Sequence, residues 1–453
     1  MKKDLKVQFF LSRPPSMKTS PIFGWPTPLG CLAVATYLKK AHPEIEIEVF
    51  HGLHVPQEKM EEKADGDFVG IATTTRAYGS ALGIAKKAKE RGAKVVMGMQ
   101  FPTFMAAKIL QHRPYVDAVV RYDGEVAFTK YVEGAPLHII PNLVYRENGE
   151  IRENPIEFLD LDQLPYPDRA LIDLEPCFEV FNRIDGPFEK ATNMMSQKGC
   201  VWRTDPIGGC IFCAIADHTL RLRSPEKVWR EVRYLVEDFG IDFIWDTADD
   251  IAQDKNWFDE YCRLKPKDLD IHFSYYISAQ NVTRETLMKL VKVGCCNIFI
   301  GLEAAQPEVL QAMNKKATSE ESWKAIELLS EYGMSTYVSL VAGIPGDTEE
   351  SVDARLNLAR ELACIEHVDR IHWSTLKPVP GSKAFEMLCK DPVVGHKYRN
   401  HDLFSLEEMK RDWAERFCKV DYDYLLHVED EANKVDPYNI FYKPLEKIAG
   451  EVS

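Results

Sequence analysis

Apolar positions along this chain fall into two successive rhythms. Up to about residue 150, short apolar runs alternate with stretches of helical period. "LKVQFFL" (5–11), "IEIEVF" (45–50), "FVGIAT" (68–73), "KVVMG" (94–98) and "VDAVV" (116–120) read as strands, with helices at "CLAVATYLKKA" (31–41) and "SALGIAKKAKERG" (80–92). This alternation predicts a parallel, doubly wound sheet. Such sheets bind ligands beyond the carboxyl ends of their strands. The loops at 12–30, 73–79, 98–104 and 121–128 are therefore the ones to inspect. Their Gly, Pro, Thr and small polar residues let backbone approach a ligand, although standing alone they read better as plain turns.

A polar segment at 151–189 follows, with an Asn148-Gly149 turn just ahead of it and Pro155, Pro165 and Pro167 within it. That composition predicts an extended strap between domains. From about 190 to 383 a second alternation supplies six strand-like runs with helices between them, which predicts a full or partial parallel (β/α)6 barrel carrying its chemistry at the carboxyl rim. Residues 384–453 read as a helical capping subdomain, and a functional version of that reading has it closing the barrel mouth. The fold class is thus α/β: a doubly wound domain (1–150), a strap, a partial barrel and C-terminal helices.

Composition narrows the function classes. With 453 residues, 45% of them hydrophobic, the chain is long enough for two or three domains. No apolar run approaches the roughly 20 residues of a membrane span. The apolar stretch near the N-terminus is too short for a signal peptide, so residence in the cytoplasm is expected. A net charge of -14 opposes phosphate backbones, and no nucleic-acid partner is expected. Eleven cysteines are too dilute for a disulfide scaffold and point to metal binding or core thiols.

Three of those cysteines stand in "GCVWRTDPIGGCIFC": Cys200, Cys210 and Cys213, separated by nine residues and then two. The two-residue spacing lets a tight turn aim both thiolates at one centre, as in zinc and iron-sulfur sites. His218 could complete a Cys3His zinc set, and three unrelated buried thiols are the remaining alternative. The other eight cysteines sit mostly in apolar patterns and read as core thiols.

The order of landmarks carries a resemblance. Residues 26–38, 69–103 and 116–128 resemble the cobalamin-binding domain of one subgroup of radical S-adenosylmethionine (SAM) enzymes. The cysteine loop followed by "WDTADD" (245–250), "YYISAQN" (275–281), "IFIGLEA" (298–304) and "VAGIPGDTEES" (341–351) resembles their barrel. The whole chain therefore resembles the class B, cobalamin-dependent radical SAM methyltransferases. Three departures are visible: nine residues instead of three in the first cysteine arm, Asp347 in place of a glutamate, and Ser278 where many relatives carry an arginine. Six extra residues in a closed loop cost only about 1 kcal/mol. The Asp-x-His-x-x-Gly cobalt-ligand motif is also absent, as in the histidine-lacking subgroup.

The resemblance implies a 4Fe-4S cluster on Cys200, Cys210 and Cys213, with SAM held by Phe212, Asp249 or Asp250, Ser278, Glu303 and Gly343. It implies cobalamin held by Pro28, Leu29, Thr74, Thr75, Arg76, Gly98, Gln100, Phe101, Pro102, Thr103, Tyr122, Gly124 and Glu125. The implied reaction cleaves SAM reductively to a 5′-deoxyadenosyl radical, which activates a substrate carbon for methylation from methylcobalamin. Implied partners are a flavodoxin- or ferredoxin-type electron donor and a peptide, protein or small-molecule substrate. A protein residue, such as glutamine Cα in methyl-coenzyme M reductase, is favoured by likeness to compact relatives. Tyr275, Tyr276 and Asp246 are rim residues that could orient the substrate. Trp202, Arg203 and Asp205 in the long arm are expected near SAM and substrate, and trimming the arm to three residues is expected to spare the cluster while damaging turnover. Two alternatives stand beside this reading: a cobalamin-dependent radical cyclisation or rearrangement, and a zinc-stabilised cobalamin-binding sensor. A methylthiotransferase-like second cluster is excluded, because only Cys31 and Cys177 precede Cys200.

Overall fold

Seven strands build the first sheet: β1 (Lys6–Leu11), β2 (Glu46–His51), β3 (Phe68–Ala72), β4 (Lys94–Gly98), β5 (Ala118–Val120), β6 (Leu143–Glu147) and β7 (Glu150–Glu153). They are seen in a computed structural model that describes residues 5–14, 27–178, 188–204 and 206–437. Their order is β2-β1-β3-β4-β5-β6-β7, parallel as far as β5 and antiparallel after it. β1 is buried along almost its whole length, as expected of a strand covered on both faces. Helices α1 (Leu29–Ala41), α2 (Gln57–Lys63), α3 (Tyr78–Glu90), α4 (Gln100–His112) and α5 (Glu125–Val132) supply that cover.

Two segments read as binding loops are largely helical. Residues 100–104 form the first turn of α4, and 125–128 open α5. Proline in "QFPTF" suggested a loop, but Pro102 lies in the first turn, where no N–H is needed for an intrahelical bond. Asn148 and Gly149 (φ 52° and 82°) form the tip of the β6–β7 hairpin, so the sheet runs on to Glu153 before the strap departs.

The second sheet holds β8 (Ala191–Met194), β11 (Phe243–Asp246), β12 (His272–Ile277), β13 (Cys295–Glu303), β14 (Ser335–Ala342) and β15 (Val368–Thr375), all parallel and in sequential order. Between β8 and β11, a short antiparallel pair forms from β9 (Gln197–Lys198) and β10 (Arg221–Leu222). The crossover helices are α6 (Pro225–Phe239), α7 (Lys255–Arg263), α8 (Arg284–Val293), α9 (Pro307–Ala312), α10 (Ser319–Glu331) and α11 (Glu349–Leu362). Their ends follow from sequence: α6 has Pro225 in its first turn and stops at Gly240 in the left-handed region, while Thr318 and Glu321 form a capping box on α10.

Beyond the barrel lie α12 (Lys383–Lys390), α13 (Gly395–Asn400), α14 (Leu406–Phe417) and α15 (Tyr422–Val435). These helices brace the two domains. α15 packs on β15 and α11, and Trp413 of α14 donates to Gly343 O at 2.7 Å. On the other side Asp402 receives Arg113 at 2.7 and 2.9 Å and the Tyr78 hydroxyl at 2.6 Å. One apolar cluster runs through the junction, with Met97 and Phe101 of the first domain packed with Ile211, Met313 and Trp413. The strap is tied down by Arg169, fully buried, which donates to Glu231 at 3.0 Å and to Asn193 O at 2.8 Å. Among the described residues no helix is long and apolar enough to cross a membrane.

Candidate active site

The cysteine loop leaves the β9–β10 pair through Gly199. At φ 90° this position demands glycine, since a Cβ would meet Thr219 O at 2.2 Å. Gln253 secures the start of the arm, accepting from Val201 N at 3.0 Å and donating to Gly199 O at 3.0 Å. The arm then folds back onto the Cys-x-x-Cys turn. Trp202 Nε1 donates to Asn314 O at 2.7 Å. Arg203, only 4% exposed, donates to Cys213 O at 2.6 Å and to Gly381 O at 2.5 Å. Cys213 N closes the turn on Cys210 O at 3.0 Å, and Ile211 N reaches Met313 O at 3.0 Å. Asp205 lies outside the described residues.

All three cysteines line one cavity of about 240 Å³, together with Trp202, Arg203, Phe212, Asp249, Asp250, Tyr276, Ser278, Glu303, Lys315 and Lys316. Among the described residues no three His, Cys, Asp or Glu side chains are spaced to hold a single metal ion, and His218 is not part of the lining. The three cysteines thus meet at this cavity without His218 beside them. Burial raises the pKa of all three thiols, that of Cys213 to about 12, so cluster assembly must displace protons. A cation is in place to favour that. Lys315 is 3.0 Å from Glu303 Oε1; burial opposes its charge, but Glu303 and the neighbouring Cys210 and Cys200 outweigh burial and raise its pKa.

Glu303 ends β13 at φ 69°, where the register with β14 slips, and Ser339 Oγ donates to its Oε2 at 3.0 Å. A non-glycine residue held in the left-handed region is a strained position of the kind found at binding sites. The two adjacent aspartates divide their work. Asp250 is spent on the protein, accepting from Asn281 Nδ2 at 2.7 Å, Ala252 N at 3.0 Å and Ser278 N at 3.2 Å. Burial, with the charge of Asp217 second, pushes Asp249 up to about 7. A half-buried carboxyl in that state gains its charge when a cationic amine arrives.

Several predicted roles change. Gly343 is not part of this cavity, and its carbonyl is taken by Trp413. Asp347 is buried against Arg355 and accepts from Ile344 N at 2.8 Å, so it fixes the "GIPGD" turn while Thr348 caps α11. Tyr275 is a core residue paired with the Tyr261 hydroxyl at 2.7 Å. Asp246 is buried and holds the turn after β8 through Ser196 N at 3.0 Å. Of the three proposed rim residues, only Tyr276 lines the cavity.

The residues expected at cobalamin gather at the carboxyl edge of the first sheet. Pro28 and Leu29 start α1, Thr75 and Arg76 form a short 3-10 turn behind Thr74, Gly98 ends β4, and Tyr122 and Gly124 precede α5. α1, α3, α4 and α5 all begin there without a side-chain cap, whereas α7, α8, α10 and α11 of the barrel are capped by Asp254, Thr283, Thr318 and Thr348. Not every expected side chain faces that edge. Phe101, 1% exposed, packs on the Tyr78 ring at 4.4 Å. Pro102 is buried, and Thr103 bonds Met99 O at 2.8 Å and receives Tyr122 N at 3.2 Å. Glu125 is buried with Oε2 lacking a hydrogen-bond partner. Gln100 reaches across the domain junction to Ala214 O at 3.1 Å, one residue beyond Cys213. Sequence reasoning missed Lys315, Asp123 and the bonding role of Arg203; the Lys315-Lys316 pair after a short helix was the only written signal.

Comparison with known proteins places both halves. The radical SAM superfamily profile matches residues 194–359, and the B12 binding domain profile matches residues 22–132. An uncharacterised methyltransferase of Pyrococcus horikoshii is 30% identical over 380 residues, 79% of this chain and 78% of that protein. The anaerobic magnesium-protoporphyrin IX monomethyl ester cyclase of Rubrivivax gelatinosus is 26% identical over 340 residues, covering 71% of this chain and 58% of its own. Among solved structures, the radical SAM methyltransferase TsrM of Kitasatospora setae, with tryptophan substrate and a SAM analogue bound, aligns with TM-score 0.68 at 18% identity over 85% of this chain and 76% of that one. The cobalamin-dependent SAM radical enzyme OxsB aligns with TM-score 0.61 at 16% identity over 92% of this chain and 56% of its own. At these identities the two structures speak for the fold alone. With both profiles in order and a methyltransferase relative matched over most of both chains, this protein belongs to the cobalamin-dependent radical SAM methyltransferases, enzymes whose cofactors are a 4Fe-4S cluster, SAM and cobalamin.

Proposed function

We propose that this enzyme moves a methyl group from methylcobalamin to an unactivated carbon of its substrate. Bound together, the cluster, SAM and cobalamin supply one-electron chemistry, a hydrogen-abstracting radical and a transferable methyl group. The chain's own residues do the placing. Cys200, Cys210 and Cys213 would hold three corners of the cluster, Asp249 would receive the SAM amine, and Glu303 with Ser339 would anchor its ribose or methionine portion. Phe212 offers an apolar face for adenine. Radical chemistry of this kind depends on holding partners in position and keeping water out. The observation that supports the reading best is the Gln100–Ala214 bond, which joins the start of α4 to the residue after Cys213.

The substrate belonging to this proposal is a peptide or protein carbon, such as a glutamine Cα in methyl-coenzyme M reductase. Cytoplasmic residence and a flavodoxin- or ferredoxin-type donor belong to the same proposal. A second reading, radical ring closure without methyl transfer, draws on the likeness to the Rubrivivax gelatinosus cyclase. One experiment separates them. Anaerobically reconstituted enzyme is given methyl-deuterated SAM, reductant and candidate substrates. The expected result is deuterium in the product alongside S-adenosylhomocysteine and 5′-deoxyadenosine. An unlabelled product that has lost hydrogen would favour ring closure instead.

A further inference from the structure

Asp123 was passed over between two residues expected at cobalamin, yet its carboxylate is the most heavily engaged on that loop. It is 3% exposed. Oδ1 receives Lys198 Nζ at 2.9 Å and Arg221 NH2 at 3.1 Å, and Oδ2 receives Arg221 NH1 at 2.7 Å and Leu159 N at 2.9 Å. Its own carbonyl accepts Asn142 Nδ2 at 3.0 Å. The guanidinium of Arg221 also bonds Asp217 at 2.7 Å and lies 4.7 Å from the Phe158 ring centroid, while Phe158 meets Tyr122 edge-on at 5.3 Å.

What Asp123 grips gives the arrangement its meaning. Lys198 and Arg221 are directly paired across the β9–β10 ladder, and the loop between them carries all three cluster cysteines. Two cations facing each other across antiparallel strands repel. Here they close over a shared carboxylate supplied by another domain. Lys198 stands two residues before Cys200, and Asp123 directly follows Tyr122 at the corrin edge. One carboxylate therefore spans the neck of the cluster loop, the edge loop and the strap.

We propose that Asp123 is a positioning residue that fixes the register between the cluster loop and the cobalamin domain, so that cluster and corrin are held at a single separation. The inference rests on the functional reading above, because it takes both cofactors as resident. Gln100, bonded to Ala214 on the far side of the same loop, is the second tie of this register.

The test compares wild type with Asp123→Asn and with Asp123→Asn/Lys198→Met. In cofactor-free protein, Asp123→Asn is expected to speed amide hydrogen exchange at 197–200 and 219–222 by about tenfold, the effect of losing charged bonds at the neck. The second substitution removes one of the two opposed cations, which ends their repulsion, and is expected to restore protection. In reconstituted protein, the readout is relaxation of the cob(II)alamin electron-spin signal by the reduced cluster, which depends on their separation. Both variants are expected to show weakened, heterogeneous relaxation, with iron and corrin content per chain unchanged. Unchanged relaxation in Asp123→Asn would overturn the proposal, as would a double variant that recovers relaxation together with exchange protection, since Asp123 would then merely close the hairpin. Wild type that binds no iron or no corrin would instead overturn the functional reading, and the proposal with it.

Discussion

Cys213→Ser is expected to abolish cluster assembly, with iron per chain falling to background after anaerobic reconstitution. Reductive formation of 5′-deoxyadenosine should fall by at least about a thousandfold, the loss of a barrier reduction that no other group in the chain supplies. Serine keeps the size of the side chain but is a poor ligand for iron in clusters held by thiolates. Packing changes little, so thermal unfolding of the cofactor-free variant should match wild type. Specificity is checked at thiols outside the site. Cys262→Ser and Cys364→Ser, at positions that do not line the cavity, are expected to retain full iron. Iron lost equally in all three variants would show that the cysteine loop is not the socket.

Arg203→Met should strike the same cluster from outside its ligand set. Methionine roughly keeps the buried stem but removes the donors to Cys213 O and Gly381 O. A hydrogen bond from a charged donor contributes about 1.5–3 kcal/mol, and both carbonyls would be left without that donor. A loss of about 3 kcal/mol in loop stability follows, read as iron released on desalting that wild type retains. The same contacts revise the expectation for the long arm. Trimming it to three residues would remove Arg203, so iron retention is expected to fall along with turnover. A trimmed enzyme that keeps its cluster would show that Arg203 merely packs.

Much of this site is legible in the residues because the landmarks sit at strand ends, where period-two patterns stop and glycines or acids begin. Cys200, Phe212, Asp249, Ser278 and Glu303 are implied by the family resemblance that those landmarks carry, and the fold gathers them round one cavity. Helices α4 and α5 escaped because Pro102 in the first turn of one and Gly124 just ahead of the other are signals shared with loops. Tyr275 and Tyr276 show the limit of pattern on a strand, since adjacent residues point to opposite faces and one entered the core while the other faced the cavity. The structural role of Asp347 leaves no trace in the sequence for a different reason. Its partner Arg355 lies two turns into α11, and an ion pair formed by folding leaves no mark in the "GIPGD" motif itself. Asp123, Lys198 and Arg221 are further apart still, and only the tertiary fold shows that they converge.

The central claim is that one chain holds a cluster, SAM and a corrin in working register. It is tested most directly by reconstituting the full chain anaerobically with iron, sulfide and hydroxocobalamin, then adding SAM and a low-potential reductant. The expected result is a 4Fe-4S electron-spin signal, corrin that co-elutes with the protein, and 5′-deoxyadenosine formed only when Cys200, Cys210 and Cys213 are intact. Protein that elutes free of corrin and forms no 5′-deoxyadenosine would contradict the account.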